Sequence, residues 1–219
     1  MKIANSLRPW GAVSRRFIPA AVVGVALALG LAWGGPAPVR AAEDVAAVKM
    51  IETLADEAIS TLTVKSLAKE ERASRFRELL KANFDVDTIA QWVLGRHWSQ
   101  ATAEQRKDYL NLFEDLLVVT YSDRFGRYAG EKLMIVNSIS RPGEDTLVQT
   151  VLNHPETEAP IKIDWRIRSR AGKLWIVDVV IEGVSMGQTQ RSEFASAIRQ
   201  NGGIAGFLGE LRKRISGDA

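Results

Sequence analysis

Apolar and polar positions along the chain change period twice, which divides it into helix, strand and helix again. Residues 45–62, VAAVKMIETLADEAISTL, place Val48, Ile51, Leu54, Ala55, Ala58, Ile59 and Leu62 at helical spacing. A second helix is expected from about Ala68 to Lys81, with Phe76, Leu79 and Leu80 on one side. Phe84-Asp85-Val86-Asp87 reads as a break. The short helix after it, through Ile89, Trp92, Val93 and Leu94, stops at Gly95, a residue suited to a left-handed cap. Thr102-Ala103-Glu104-Gln105 has the form of a capping box, with threonine at the N-cap and glutamine three residues on. It opens the longest helix, whose stripe carries Tyr109, Leu112, Phe113, Leu116, Leu117, Thr120, Tyr121 and Phe125.

From Lys132 the period falls to two. Leu133–Ser140, Thr146–Leu152, Ile161–Arg170 and Leu174–Ile181 are expected strands, joined by turns at Asp145, Asn153-His154-Pro155 and Ala171-Gly172. In the third, Ile161, Ile163, Trp165 and Ile167 alternate with Lys162, Asp164, Arg166 and Arg168, as in an antiparallel sheet with one face covered and one wet. The fourth strand is apolar on both faces and is expected to be central. Helix returns over about Thr189–Gln200 and Ile204–Ile215, on either side of Asn201-Gly202-Gly203. Helices, then strands, then helices predict an α+β fold with about four antiparallel strands and no internal repeat.

The start of the chain has a different character and changes the charge argument. Lys2, Arg8, Arg15 and Arg16 precede the apolar run Ile18–Trp33, and Gly34-Gly35-Pro36-Ala37-Pro38-Val39-Arg40-Ala41 follows it. A basic region, an apolar region and small residues before a cut are the parts of a secretory signal, so residues 1–41 are expected to be removed after Ala41. An uncleaved anchor needs about 20 apolar residues, more than this run supplies. The full chain has 29 basic and 26 acidic residues; five bases and no acids lie within 1–41, leaving 24 against 26, or −2, in residues 42–219. The basic character belongs to the leader, and a protein that seeks nucleic acid is the wrong reading. A mature chain of this length, without cysteine, can bury a sufficient core as a single exported domain.

Motifs for chemistry are missing. The sequence has no Walker A loop, dinucleotide fingerprint, nucleophile elbow or histidine pair at metal spacing. No cofactor and no metal are expected. His97 and His154 read as polar groups at a helix end and in a loop. Asp164 and Asp178 lie on strands, where a buried carboxylate could act as a base. The simpler reading gives Asp164 to the wet face and Asp178 to hydrogen bonds or an arginine. Six tryptophans and ten Phe plus Tyr are more than enough for a core. Either they fill it, or sheet and helices enclose an apolar cavity.

Two segments carry a resemblance. Gly95-Arg96-His97-Trp98-Ser99-Gln100-Ala101-Thr102-Ala103-Glu104-Gln105-Arg106, and Ile181-Glu182-Gly183-Val184-Ser185-Met186 followed by Gln190-Arg191-Ser192-Glu193-Phe194, look like the MlaC, or toluene-tolerance, family of auxiliary ABC-transport proteins. The resemblance runs from about Val45 to Ile215. It implies a decorated NTF2-like fold and a periplasmic carrier, not an enzyme. Such a carrier moves phospholipid between an outer-membrane lipoprotein–porin complex and an inner-membrane ABC transporter complex, with the acyl tails in an apolar pocket.

The resemblance turns the apolar surplus into a candidate site. The sheet face with Ile163, Trp165, Ile167, Val177 and Val179 would line the pocket. Leu116, Tyr121 and Phe125 of the long helix, Ile89, Trp92 and Val93 of the short one, and Val184, Met186 and Phe194 would complete it. Arg96, Arg166 and Arg168 would meet headgroups or an acidic docking surface, or form only a solvated face. At about 0.8 kcal/mol per methylene, two chains of roughly fifteen buried carbons are held by some 20 kcal/mol, so transfer requires docking to an equally apolar partner. The alternatives are a carrier of hopanoid or another apolar lipid, an NTF2-like enzyme using Asp178 or Asp164, and a structural adaptor.

Overall fold

In the computed structural model the described residues are 37–140, 143, 145–156 and 159–217. The expected leader lies outside them up to Pro36, and the expected cut after Ala41 falls within the first helix. The elements run α1 (Ala37–Leu62), α2 (Lys69–Asn83), α3 (Val86–Leu94), α4 (Arg96–Gln100) and α5 (Ala103–Phe125). Then come β1 (Lys132–Ile139), β2 (Thr146–Asn153), β3 (Ile161–Arg170), β4 (Lys173–Ile181) and β5 (Val184–Ser185), and finally α6 (Met186–Gln200) and α7 (Ile204–Ser216). The fold is α+β. The sheet is open and antiparallel in the order β1-β2-β3-β4-β5, so the two-residue β5 is added to the four expected strands and β4 is flanked on both edges.

Local chemistry sets the helix ends. The Asp85 carboxylate accepts from the Thr88 N–H and opens α3. The capping box of α5 is complete: Thr102 Oγ1 accepts from the Gln105 N–H at 3.2 Å, and Gln105 Oε1 accepts from the Thr102 N–H at 3.0 Å. The buried Arg72 guanidinium donates to the carbonyls of Leu62, Val64 and Leu67, fastening the end of α1 to α2.

The apolar residues gather into two cores. One is helical: Val93 and Leu94 of α3, Tyr109, Phe113 and Leu116 of α5, Phe194 and Ile198 of α6, and Phe207, Leu208 and Leu211 of α7. In the other, Ala47, Ile51 and Leu54 of α1 pack on Val148, Ile167 and Ile176 of the sheet. The Asp44 carboxylate, accepting from the hydroxyls of Ser138 and Ser140, ties the start of α1 to β1.

Both outer long strands carry a bulge. In β1 the register steps over Val136, from Ile135↔Thr150 to Asn137↔Gln149. In β4 it steps over Val177, from Ile167↔Ile176 to Arg166↔Asp178. An extra residue in one strand bends it and increases its twist. The sequence reading, which assumes strict alternation, places Val177 and Val179 together on the inner face. The bulge overturns that. Ile176 and Val179 share the face of Ile167 and Trp165, and Val177 is the extra residue between them.

Candidate functional site

Register defines the inner face of the sheet row by row. Ser138, Val148, Trp165 and Val179 form one row, and Ile135, Thr150, Ile163 and Ile181 the next; beyond it Leu133, Leu152 and Ile161 continue across three strands. Ser138 and Thr150 are the polar members of these rows, and both are satisfied: the Ser138 hydroxyl donates to Asp44 at 2.9 Å, and the Thr150 hydroxyl donates to the Ile163 carbonyl at 2.7 Å and accepts from Trp165 Nε1 at 3.1 Å. No buried polar cost is left on that part of the face.

Along β3 and β4 exposure rises in one direction, while Val148 and Thr150 of β2 stay buried beside them. Ile167 and Ile176, beneath α1, are 1% and 0% exposed. Trp165, Val179, Ile163 and Ile181 are half-buried, and Ile161 at the far end is 42% exposed. The surface is thus sealed at one end and open at the other along β3 and β4, and its side chains on those two strands are apolar.

The residues expected to line a pocket fall into four places. Ile163, Trp165, Ile167 and Val179 lie together on the inner sheet face. Val93, Leu116 and Phe194 are 1%, 3% and 2% exposed in the helical core, with Ile89 packed against it, so they are packing residues there. Tyr121 and Phe125 are half-buried near the end of α5, where Phe125 meets the Phe76 ring of α2 at 5.8 Å and the Arg124 guanidinium lies 5.0 Å from the Tyr121 ring centre. Trp92, Val184 and Met186 lie on α3, β5 and the start of α6, the first two exposed. Trp92 has its own seat: a Cβ on Gly187 would come within 2.8 Å of its ring, and the Arg191 guanidinium lies 5.2 Å from the ring centre.

Among the expected cations, Arg166 and Arg168 are on the outer face of β3, and Arg96 is exposed at the start of α4. Arg168 donates twice to Asp145, at 2.7 and 2.9 Å, and this hydrogen bonding holds its pKa above the usual arginine value. Arg166 approaches Asp178 at 3.9 Å. The Asp178 carboxylate is buried and occupied: it accepts from the Ser185 hydroxyl at 2.6 Å and from the N–H groups of Val179 and Gly187 at 3.0 and 3.1 Å. It anchors the start of α6.

The sequence reading missed Ile176, Ile181, Val148 and Leu152, and the α1 residues Ala47, Ile51 and Leu54 that cover the sheet. The α1 stripe was visible, but which surface it covered was not. Ile176 was hidden by the bulge, which no local residue preference announces, whereas Ile181 keeps the parity of Val179.

Among the described residues no helix is long and apolar enough to cross a membrane, and no group of acidic residues and histidines could hold a metal ion. The chain is 29% identical over 98 residues to the intermembrane phospholipid transport system binding protein MlaC of Haemophilus influenzae; the match spans 43% of this chain and 45% of that relative. The fold is that of a phospholipid-binding protein from Ralstonia solanacearum solved in complex with a phospholipid. The TM-score is 0.69 at 21% identity, and the overlap covers 77% of this chain and 96% of that one. The profile of the family described as MlaC protein matches residues 52–213, the span that holds the second part of α1, the whole sheet and most of α7, and the chain therefore belongs to the MlaC family.

Proposed function

We propose that this protein is a periplasmic carrier that holds the acyl tails of a phospholipid against the inner face of its sheet. It would be exported by cleavage of residues 1–41 and work as the single domain 42–219. The observation that carries the reading is the exposure gradient: Ile167 and Ile176 sealed under α1, Trp165, Val179, Ile163 and Ile181 half-buried, and Ile161 open. An ordinary core closes over such a surface, because each buried methylene contributes about 0.8 kcal/mol. A row of large apolar side chains left half-covered suits an apolar ligand that completes the burial. Family membership and the phospholipid in the Ralstonia relative supply the ligand class.

Lipid transfer follows from the same energetics. Chains held by some 20 kcal/mol do not escape into water at a useful rate, so lipid passes between this protein and docked membrane complexes. The partners are an inner-membrane ABC transporter complex and an outer-membrane lipoprotein–porin complex. A carrier requires no catalytic residue. The two strand carboxylates support that reading: Asp164 is on the outer face, and Asp178 is committed to Ser185, Val179 and Gly187.

Organic extraction of the purified protein followed by mass spectrometry tests this. The expected result is phospholipid at about one molecule per chain. A triterpenoid in its place would assign a different apolar cargo, and a lipid-free protein that also fails to take phospholipid from vesicles would overturn the reading.

A further inference from the structure

Thr150 is 1% exposed on the inner face of the sheet, where valine would fill nearly the same volume with no hydroxyl to satisfy. The hydroxyl is used twice, donating to the Ile163 carbonyl and accepting from the indole N–H of Trp165. The second bond is diagonal. The backbone of Trp165 stands opposite Val148 and Val179, whereas Thr150 stands opposite Ile163, one row nearer the open end. Diagonal neighbours across a strand pair are within reach of an aromatic ring. The bond therefore draws the indole along the sheet, out of its own row and toward the opening.

The ring stands where exposure changes. Behind Trp165, Ile167 and Ile176 are closed beneath α1, and Trp165 packs against that cluster. On the β2 side Val148 and Thr150 are closed as well. In front of the ring Ile163 and Ile181 are half-buried and Ile161 is exposed. The uncovered part of the face is thus a strip along β3 and β4 that ends at one aromatic side chain. At about 3.3 Å per residue, the stretch of β3 from Ile161 to Trp165 is about 13 Å long.

We propose that Trp165, held in place by Thr150, is the floor of the lipid cleft and sets the length of acyl chain that the protein accepts. The inference rests on the reading that the sheet face holds acyl tails. A methylene drawn from a bilayer into the strip exchanges one apolar setting for another, so chains that end before the ring are taken up about equally. A methylene that the floor keeps out is left in water, a penalty of about fourfold for each. Trp165 meets the end of the tail. Thr150 is a positioning residue: without its hydroxyl the indole N–H loses its partner, and the ring turns toward water to recover one.

The test offers the delipidated protein vesicles with equal amounts of dilauroyl, dimyristoyl, dipalmitoyl and distearoyl phosphatidylglycerol, and counts the bound species by mass spectrometry. Uptake is expected to be level across the shorter chains and to fall at least about tenfold over one step of the series, at about fourfold per excluded methylene. Trp165→Leu should move the fall to longer chains. Thr150→Val should raise the excluded species at least about threefold, and Thr150→Ser, which keeps the hydroxyl, should restore the native profile. A purely structural role for either residue would lower folded protein and total lipid without shifting the profile. If Trp165→Leu does not fold, Thr150→Val decides alone. Uptake with no fall in the series, or a fall that the folded variants leave in place, would overturn the floor while leaving tail binding intact. A profile that only Trp165→Leu moves would strip Thr150 of its part. A native protein that takes up none of the lipids would overturn the reading beneath the proposal as well.

Discussion

The two apolar regions of this protein are built from similar residues and finished differently. In the helical core four rings interlock, with Phe194 centred 4.8 Å from Phe207 and 6.2 Å from both Tyr109 and Phe113. A deep polar group there is answered, since the Tyr109 hydroxyl donates to the Ala90 carbonyl at 2.9 Å and burial pushes the phenol pKa up. The sheet face is sealed under α1 and then left half-covered. Apolar composition alone therefore does not separate a core from a binding surface. The degree of closure does, and closure depends on how elements far apart in sequence are placed.

The sharpest way to break this contrast is to open the closed region. Phe194→Ala should cost about 3–5 kcal/mol in urea unfolding, because a large ring leaves a packed cluster that can relax only in part. Its effect on lipid content should follow the loss of folded protein and go no further. A protein that keeps its stability but loses its lipid on this change would place Phe194 in the pocket after all.

Charging the half-covered face should do the reverse. Ile163→Glu places a carboxylate in the middle of the graded surface, next to the Trp165 row. Desolvating it against acyl chains costs several kcal/mol, so co-purified lipid should fall more than about tenfold. Because Ile163 is already half-exposed, the empty protein should lose only about 1 kcal/mol of stability. Unchanged lipid content would count against the sheet face as the binding surface.

The smallest effect is expected on the wet face. Arg168→Ala removes a two-point contact with Asp145, in which the arginine side chain is 47% exposed. Exposed pairs contribute about 0.2–1 kcal/mol, so the melting temperature should hardly move and lipid content should not change. A large drop in lipid would restore Arg168 as a headgroup contact.

Much of this was legible in the chain because it is local. The capping box at Thr102, the stop at Gly95 and the alternation of Ile161, Ile163, Trp165 and Ile167 are all written within a few residues, and each element stands where they place it. Two short elements were not legible. The five residues of α4 and the two of β5 are too brief to set up a period. The site was less legible than the fold for a related reason. Val93, Leu116 and Phe194 read as apolar on helix faces, and nothing in their own segments says that those faces meet one another instead of the sheet. Asp178 was readable only in kind: a carboxylate on an apolar strand needs partners, and Ser185, Val179 and Gly187 supply them.

The bulge at Val177 has a consequence best put as a matter of parity. A strand is read in steps of two, so adding or losing one residue exchanges its faces for everything beyond. Val177 is a frameshift already accepted by the fold: Ile176 and Val179 keep the apolar face on either side of it, and Asp178 stays on the opposite face, where it reaches the start of α6. Paired without the slip, the same strand would turn Asp178 toward the apolar side chains and Val179 away from them. Deleting Val177 would therefore leave both faces of β4 in frame, whereas a deletion well away from the bulge would exchange the faces for the residues beyond it.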